Sequence, residues 1–346
     1  MSIRPIRLIP HTDAANSQRI GQRTLLKAIE QFGVSEHQIR IAAELLRRGR
    51  LVAFPTETVY GLGGNALDAS AVAQVFEVKG RPSSSPVIVH VSNQRMIGQA
   101  ALSWPEKART LANQFWPGPL TLVVAKTPAV PDIVTAGLPT VGVRMPAHAV
   151  ALALIEAAQL PVAAPSANRF TQVSPTTAEH VWQGLGDRVD CILDCGPCEV
   201  GIESTVLSLV DEVPVLLRPG GVSRQQIEEL IGSIASAAQN PTGAHPSPGM
   251  HPRHYSPRTP LHLVRNGRVP AQGSGAYLQI KCPPRISVRE VVAMPNHATE
   301  YATQLYGALH ALDAKGYDWI AVETPEPGIE WEAVLDRLRR ASASEA

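Results

Sequence analysis

The run Leu51-Val-Ala-Phe-Pro-Thr-Glu-Thr-Val-Tyr-Gly-Leu-Gly63 constrains this chain more than any other stretch. Residues 51–54 read as a short apolar strand, which Pro55 ends because proline has no amide hydrogen to give a ladder. Hydroxyls and one carboxylate follow, then Gly61, Gly63 and Gly64. Asp68 is placed to cap a helix whose apolar positions Val72, Val75 and Phe76 share one face. Lys79-Gly-Arg-Pro82 closes that helix, and a second strand is expected over 86–91. The pattern predicts a βαβ-like unit with small polar groups at one strand end and two cations at the far end of its helix. Such a unit suits an anionic substrate.

A length of 346 residues predicts about two domains. With 44% hydrophobic and 18% charged residues the chain can bury a sizeable core. A net charge of +1 gives no global attraction to nucleic acid. Arg4 and Arg7 have no apolar segment behind them, so no secretory signal is expected. The most apolar stretch, 147–164, is broken by His148, Glu156, Gln159 and Pro161, which argues against a membrane span. A cytoplasmic protein is expected. Cys191-x3-Cys195-x2-Cys198 has a spacing that can hold an iron–sulfur cluster. A strand over 190–195 and a turn after it explain the same thiols as small buried hydrophobes, so inert, reduced cysteines are expected.

Four regions follow from composition and periodicity: an N-terminal extension over 1–35, an α/β domain over 36–232, a Pro/Gly-rich linker over 233–259 and a small α/β domain over 260–342. In the first α/β domain helices are expected at 37–48, 68–79, 106–115, 149–159, 178–185 and 223–231. Further strands are expected at 120–125, 140–144, 162–164, 191–193, 206–209 and 215–217. The C-terminal region predicts strands at 261–264, 276–280 and 319–323 with helices at 298–315 and 330–340. Alternation of this kind implies an α/β fold, a twisted mixed sheet flanked by helices.

Gly-x-Ser-x-Gly, His-Glu-x-x-His and Walker phosphate-loop signatures do not occur in the sequence. Gly61-x-Gly63-x-x-Ala66 fits a relaxed dinucleotide fingerprint, but residues 55–60 separate it from the strand, where a Rossmann turn needs glycine at once. Lys79 and Arg81 are explained by a helix C-terminus, where cations are favoured. Arg144 and Arg218 each end an apolar strand, and cations gathered at element termini suit phosphate and carboxylate recognition. His90, among valines, fits a satisfied core histidine as well as a site. Pro165-Ser-Ala-Asn168, Ser174-Pro175 and Gly201-Ile-Glu-Ser-Thr-Val206 fit turns and caps as well as binding loops.

Taken in order, Pro55-Thr-Glu-Thr-Val-Tyr-Gly-Leu-Gly63, Lys79-Gly-Arg-Pro82 with Val89-His90, Val143-Arg144, Ala164-Pro-Ser-Ala-Asn168, Glu203-Ser-Thr-Val206 and Leu217-Arg-Pro-Gly220 resemble the threonylcarbamoyl-AMP synthase family, the YrdC-like enzymes. Ser247-Pro-Gly-Met and Arg253-His-Tyr-Ser-Pro257 are similar to the linker of its long two-domain form, and Leu312-Asp-x-x-Gly316 and the run 335–340 to its small, Rossmann-like C-terminal domain. The resemblance implies that L-threonine, bicarbonate and ATP yield threonylcarbamoyl-adenylate and pyrophosphate for modification of tRNA adenosine. It implies magnesium with ATP, a downstream tRNA-modifying transferase complex as partner, and a weak tRNA contact. Carried onto this sequence, Lys79, Arg81 and Arg144 are the catalytic cations, and Thr58, His90, Arg144, Ala164 and Ser204 hold threonine and bicarbonate. Arg81, Ser85, Thr140, Ser166, Asn168, Ser174, Arg218 and Tyr255 hold ATP. Ser85 departs from the family pattern, which has asparagine there and a longer reach.

Two rivals stand beside this. One is a YrdC-like protein that binds RNA without catalysis, using pieces such as Arg47-Arg-Gly-Arg50, which also fit a solvated helix end. The other is the carbamoyl-transfer domain of a hydrogenase-maturation protein, which expects zinc-finger and acylphosphatase regions that are not seen in this sequence.

Overall fold

The strand Val52–Phe54 does not stand alone at the start of a βαβ unit: it pairs antiparallel with Gly61–Asn65, Val52 opposite Gly63 and Phe54 opposite Gly61. The computed structural model describes residues 32–237 and 253–343. Almost all of the expected N-terminal extension, and the linker residues 238–252, lie outside the described residues. The expected βαβ-like unit is therefore corrected. The glycine run is itself a strand, and the helix Ala69–Lys79 crosses from it to Val89–His90, with Val162–Ala163 antiparallel between the two. Glycine weakens a strand by propensity, so the run reads as a loop. Here it is demanded by packing: a Cβ on Gly63 would lie 2.8 Å from both Phe54 Cε1 and Val162 Cγ1.

Among the described residues the large mixed sheet runs Ala235–Ser236, Val215–Arg218, Thr205–Ser208, Leu120–Ala125, Thr140–Arg144, Val89–His90, Val162–Ala163, Gly61–Asn65, Val52–Phe54, Cys191–Ile192 from edge to edge. Helices flank it. Glu36–Arg47 begins with a capping box, in which Ser35 and Gln38 each satisfy the other's backbone N–H, and buries Ile39, Ala42, Ala43 and Leu46. Asp68 caps Ala69–Lys79 through the amides of Ser70 and Ala71, and Gly80 ends that helix at φ +63°. Ala149–Ala158 is almost wholly apolar because it is buried nearly all round. The strand Ala235–Ser236 falls within the expected linker and extends the sheet beside Val215–Arg218.

A second sheet, all parallel, runs Leu261–Val264, Trp319–Glu323, Gly275–Gln279, Glu290–Ala293, with the helices Ala298–Asp313 and Glu332–Ala341 packed on it. Glu290–Ala293 was not expected; it is an edge strand of alternating half-buried and exposed residues, too weakly apolar to stand out. Among the described residues no helix is long and apolar enough to cross a membrane.

The two halves meet through one of their cores: the loop residues Val59, Val173 and Ile202 beside the first sheet pack in the same cluster as Leu305 and Leu309 of the helix Ala298–Asp313. Gly201 sits at φ +78°, and a Cβ there would come within 2.5 Å of the Ala302 carbonyl oxygen. Gly201→Ala is expected to destabilise the protein by about 1–3 kcal/mol, since both the left-handed backbone and the neighbouring main chain resist it. A urea midpoint unchanged from wild type would contradict this contact.

Candidate active site

The turn at 55–60 begins with Thr56, whose hydroxyl accepts from the amides of Thr58 and Val59 and donates to the Val59 carbonyl. This folds Thr58 back over the sheet. Beside it runs the segment after Val162–Ala163: Leu62 N–H donates to Pro165 O, Ala167 N–H donates to Tyr60 O, and Gly61 bridges to Ser166. Strand pairing then adds the cations. His90 and Arg144 are register partners on adjacent strands.

These segments enclose a cavity of about 530 Å³, part of it open to solvent, lined by Thr56, Thr58, Val59, Gly61, Arg81, Ile88, His90, Arg144, Ala164, Pro165, Ser166, Glu203, Ser204, Arg218, His254 and Tyr255. Thus Thr58, Arg81, His90, Arg144, Ala164, Ser166, Ser204, Arg218 and Tyr255, all named from the sequence, come together at one place. Arg144 donates through Nε to Gly118 O at 3.2 Å and pairs with Glu57 at 2.7 Å. Arg218 donates twice to the Ser204 carbonyl, from Nε at 3.1 Å and Nη2 at 2.9 Å. Arg81 is held by neutral acceptors, the Ser85 carbonyl and hydroxyl and the Pro86 carbonyl. Burial lowers the Arg81 guanidinium to about 10, which leaves it charged at neutral pH. Burial, and then the charge of Arg144, pushes His90 down to about 3, so its imidazole is neutral. Its Nδ1 has no hydrogen-bond partner among the described residues.

Other named positions have different surroundings. Lys79 does not line the cavity; its buried ammonium donates to the Ser166 and Asn168 carbonyls and staples the 165–168 loop to the end of its helix. Asn168 donates to the carbonyls of Arg169 and Gln172, and so holds the same loop. Ser85 faces Arg81 and orients it. Ser174 donates to the Glu203 carboxylate. Thr140 lies in an adjoining cleft of about 300 Å³, which shares Ile88 with the main cavity.

Several residues of the site had no role in the sequence reading. Glu57 sits between two hydroxyls, and only its position between strands hinted at a buried partner for Arg144. Glu203 precedes Ser204 and carries four hydrogen bonds from Ser174, Tyr306 and Arg337. His254 packs edge-on against Phe170, over which Arg81 lies at 5.7 Å. Among the described residues no group of three or more His, Cys, Asp or Glu side chains could hold a metal ion. Cys191 stands in a strand opposite Val52, and burial lifts the Cys191 and Cys195 thiols to about 12.

A family model described as "Telomere recombination" matches residues 44–220, and one described as "Threonylcarbamoyl-AMP synthase, C-terminal domain" matches residues 222–343. The chain is 42% identical over 332 residues to the threonylcarbamoyl-AMP synthase of Pyrococcus abyssi, covering 89% of this chain and 95% of that one. With the Bacillus subtilis threonylcarbamoyl-AMP synthase it shares 41% identity over 338 residues, covering 93% and 97%. The crystal structure of P. abyssi Sua5 complexed with L-threonine superposes with a TM-score of 0.83 at 41% identity, over 89% of this chain and 95% of that one.

The buried histidines give a pH prediction. His90 is lowered to about 3, and His148 and His180 to about 4, in each case chiefly by burial. Above pH 6.5 both folded and unfolded states carry them neutral; below it only the unfolded chain takes up the protons. Stability is therefore complete above pH 6.5 and falls as pH drops toward 4, by up to about 1.4 kcal/mol per pH unit for His90 and by less for the partly solvated His148 and His180. Urea unfolding at pH 7, 6 and 5 checks this, and equal midpoints at pH 7 and 5 would contradict it.

Proposed function

We propose that this chain, which belongs to the threonylcarbamoyl-AMP synthase family, condenses L-threonine, bicarbonate and ATP into threonylcarbamoyl-AMP with release of pyrophosphate, and is thus a nucleotidyltransferase. The observation that carries the reading is the meeting of Arg81, Arg144 and Arg218 around one cavity with Thr58, His90 and Ser204. The threonine amine takes up carbon dioxide from bicarbonate as a carbamate, whose oxygen attacks the α-phosphorus while pyrophosphate leaves and water is the other product. No covalent enzyme intermediate is needed, so the protein's part is to position two anions and neutralise them. Arg144, fixed by Glu57 and Gly118, keeps further guanidinium donors for the threonine carboxylate. Neutral His90 offers an unpartnered Nδ1 without adding charge beside the carbamate. Arg81 and Arg218 face the phosphates, Ser166 and Tyr255 flank them, and Lys79 acts at one remove by holding the Ser166 loop.

Magnesium enters with the nucleotide as part of the substrate. Glu57 is spent on Arg144 and the Ala147 amide, and Glu203 on Ser174, Tyr306 and Arg337, so neither buried carboxylate fits the role of a resident metal ligand. We propose a catalytic domain over 36–232 and a C-terminal domain over 260–342, joined by the linker 233–259; the two separate sheets support a division in two, with Ala235–Ser236 of the linker still paired to the first sheet. The same reading puts the reaction in the cytoplasm and hands its adenylate to a transferase complex that modifies tRNA. The arginines are nearly inaccessible, Arg144 and Arg218 at 4% and Arg81 at 7%, which favours small anions within a cavity over an RNA backbone on a surface.

Pyrophosphate release is expected only when threonine, bicarbonate and ATP are all present. Release that ignores threonine, or salt-sensitive RNA binding in place of turnover, would reject the proposal. Replacing Arg144 by Ala alone would strand Glu57 as a buried charge, at about 3–5 kcal/mol. The paired change Arg144→Gln/Glu57→Gln removes both charges, and is expected to keep the fold while lowering kcat/KM for threonine by about 100-fold or more. Near-normal turnover in that variant would remove Arg144 from the site.

A further inference from the structure

The cavity contains a carboxylate where anions are to bind. Glu203 lines it, next to Ser204 and near Arg218. A carboxylate there repels incoming phosphate and competes for the arginine, unless another cation holds it. That cation comes from the C-terminal helix Glu332–Ala341. Arg337, wholly buried, donates from Nε to Glu203 Oε2 at 2.7 Å, and the Tyr306 hydroxyl donates to the same carboxylate from the helix Ala298–Asp313. The Arg337 guanidinium also lies 5.0 Å from the centre of the Tyr255 ring. Tyr255 stacks on Tyr306 at 6.0 Å and meets His254 edge-on at 4.2 Å. The Glu203–Thr205 main chain cannot drift to relieve a change here. A Cβ on Gly220 would collide with the Glu203 carbonyl oxygen, so strand-end and loop are already in contact.

We propose that Arg337 is a positioning residue for the reaction: by holding Glu203 it neutralises the carboxylate that would otherwise repel the phosphates of the nucleotide, and by stacking on Tyr255 it fixes the linker wall of the same cavity. The C-terminal domain is then a working part of the active site. This rests on the function proposed above. With Arg337 gone, the hydroxyls of Ser174 and Tyr306 still donate to Glu203, but the charge it brings to the cavity is no longer held by Arg337. The carboxylate repels the incoming phosphates, and ATP binding weakens while threonine binding changes less.

The test compares steady-state pyrophosphate release by the full chain and its variants, each checked for folding by circular dichroism. Arg337→Met is expected to raise KM for ATP about tenfold with kcat within about threefold, the pattern of lost uniform binding. Adding Glu203→Gln to that variant removes the repelling charge, and is expected to bring KM for ATP back to within about threefold of wild type. A purely structural role would lower the fraction of active enzyme, and so kcat, while leaving the KM for ATP unchanged. The proposal is overturned if folded Arg337→Met keeps the wild-type KM for ATP, or if the double variant is no better than the single. Should Arg337→Met not fold, Arg337→Gln carries the test: it keeps a polar side chain but loses the charge, and a KM for ATP equal to wild type overturns the proposal. A wild type that releases no pyrophosphate with all three substrates instead brings down the functional reading, and this proposal with it.

Discussion

Guanidinium groups in the interior persist only where acceptors surround them, and that requirement organises this molecule. Three of the buried arginines tie together separate segments of the chain. Arg144 reaches Glu57 and Gly118, Arg218 reaches Ser204, and Arg337 reaches Glu203 from the C-terminal helix. Removing one partner leaves the other charged in a low dielectric, so these contacts fix geometry more than they add stability. The result is a pocket whose donors are oriented before any ligand arrives, the arrangement that electrostatic catalysis requires.

The neutral groups of the pocket follow from the same crowding of positive charge. His254 is held well below the usual histidine range by burial and by the charges of Arg81, Lys79 and Arg218. His90 is neutral for the same two reasons, burial and a neighbouring arginine. The pocket thus contains fixed cations from arginine, hydrogen-bonding imidazoles without charge, and one carboxylate, Glu203, already paired with Arg337. Lys79, also pushed down by burial, serves as a strut between a helix end and the Ser166 loop.

Much of the fold was legible because apolar periodicity and caps are local signals. The helices Ala69–Lys79 and Glu106–Phe115 and the strands Leu120–Ala125 and Thr140–Arg144 fall where the pattern puts them. Gly61–Asn65, Ala235–Ser236 and Glu290–Ala293 were missed because glycine, linker composition and edge exposure each hide a strand whose cause is tertiary. Arg144 and Arg218 were visible as cations ending apolar strands. Their counter-groups were not. Nothing local marks Glu57, Glu203 or Arg337 as partners, since the pairing of residues 203 and 337 exists only once two sheets have packed. Ser85, Asn168 and Ser174 show the converse: short polar side chains named as ligand contacts are instead engaged by neighbouring protein groups.

In the proposed reaction one cavity receives both an amino acid and a nucleotide, with Arg144 on the first and Arg81 and Arg218 on the second. A crystal structure of this chain with L-threonine and a non-hydrolysable ATP analogue decides the matter. The threonine carboxylate is expected on Arg144 and the triphosphate between Arg81 and Arg218, with Tyr255 closing one side. A nucleotide bound away from these arginines, or threonine bound elsewhere, would contradict it.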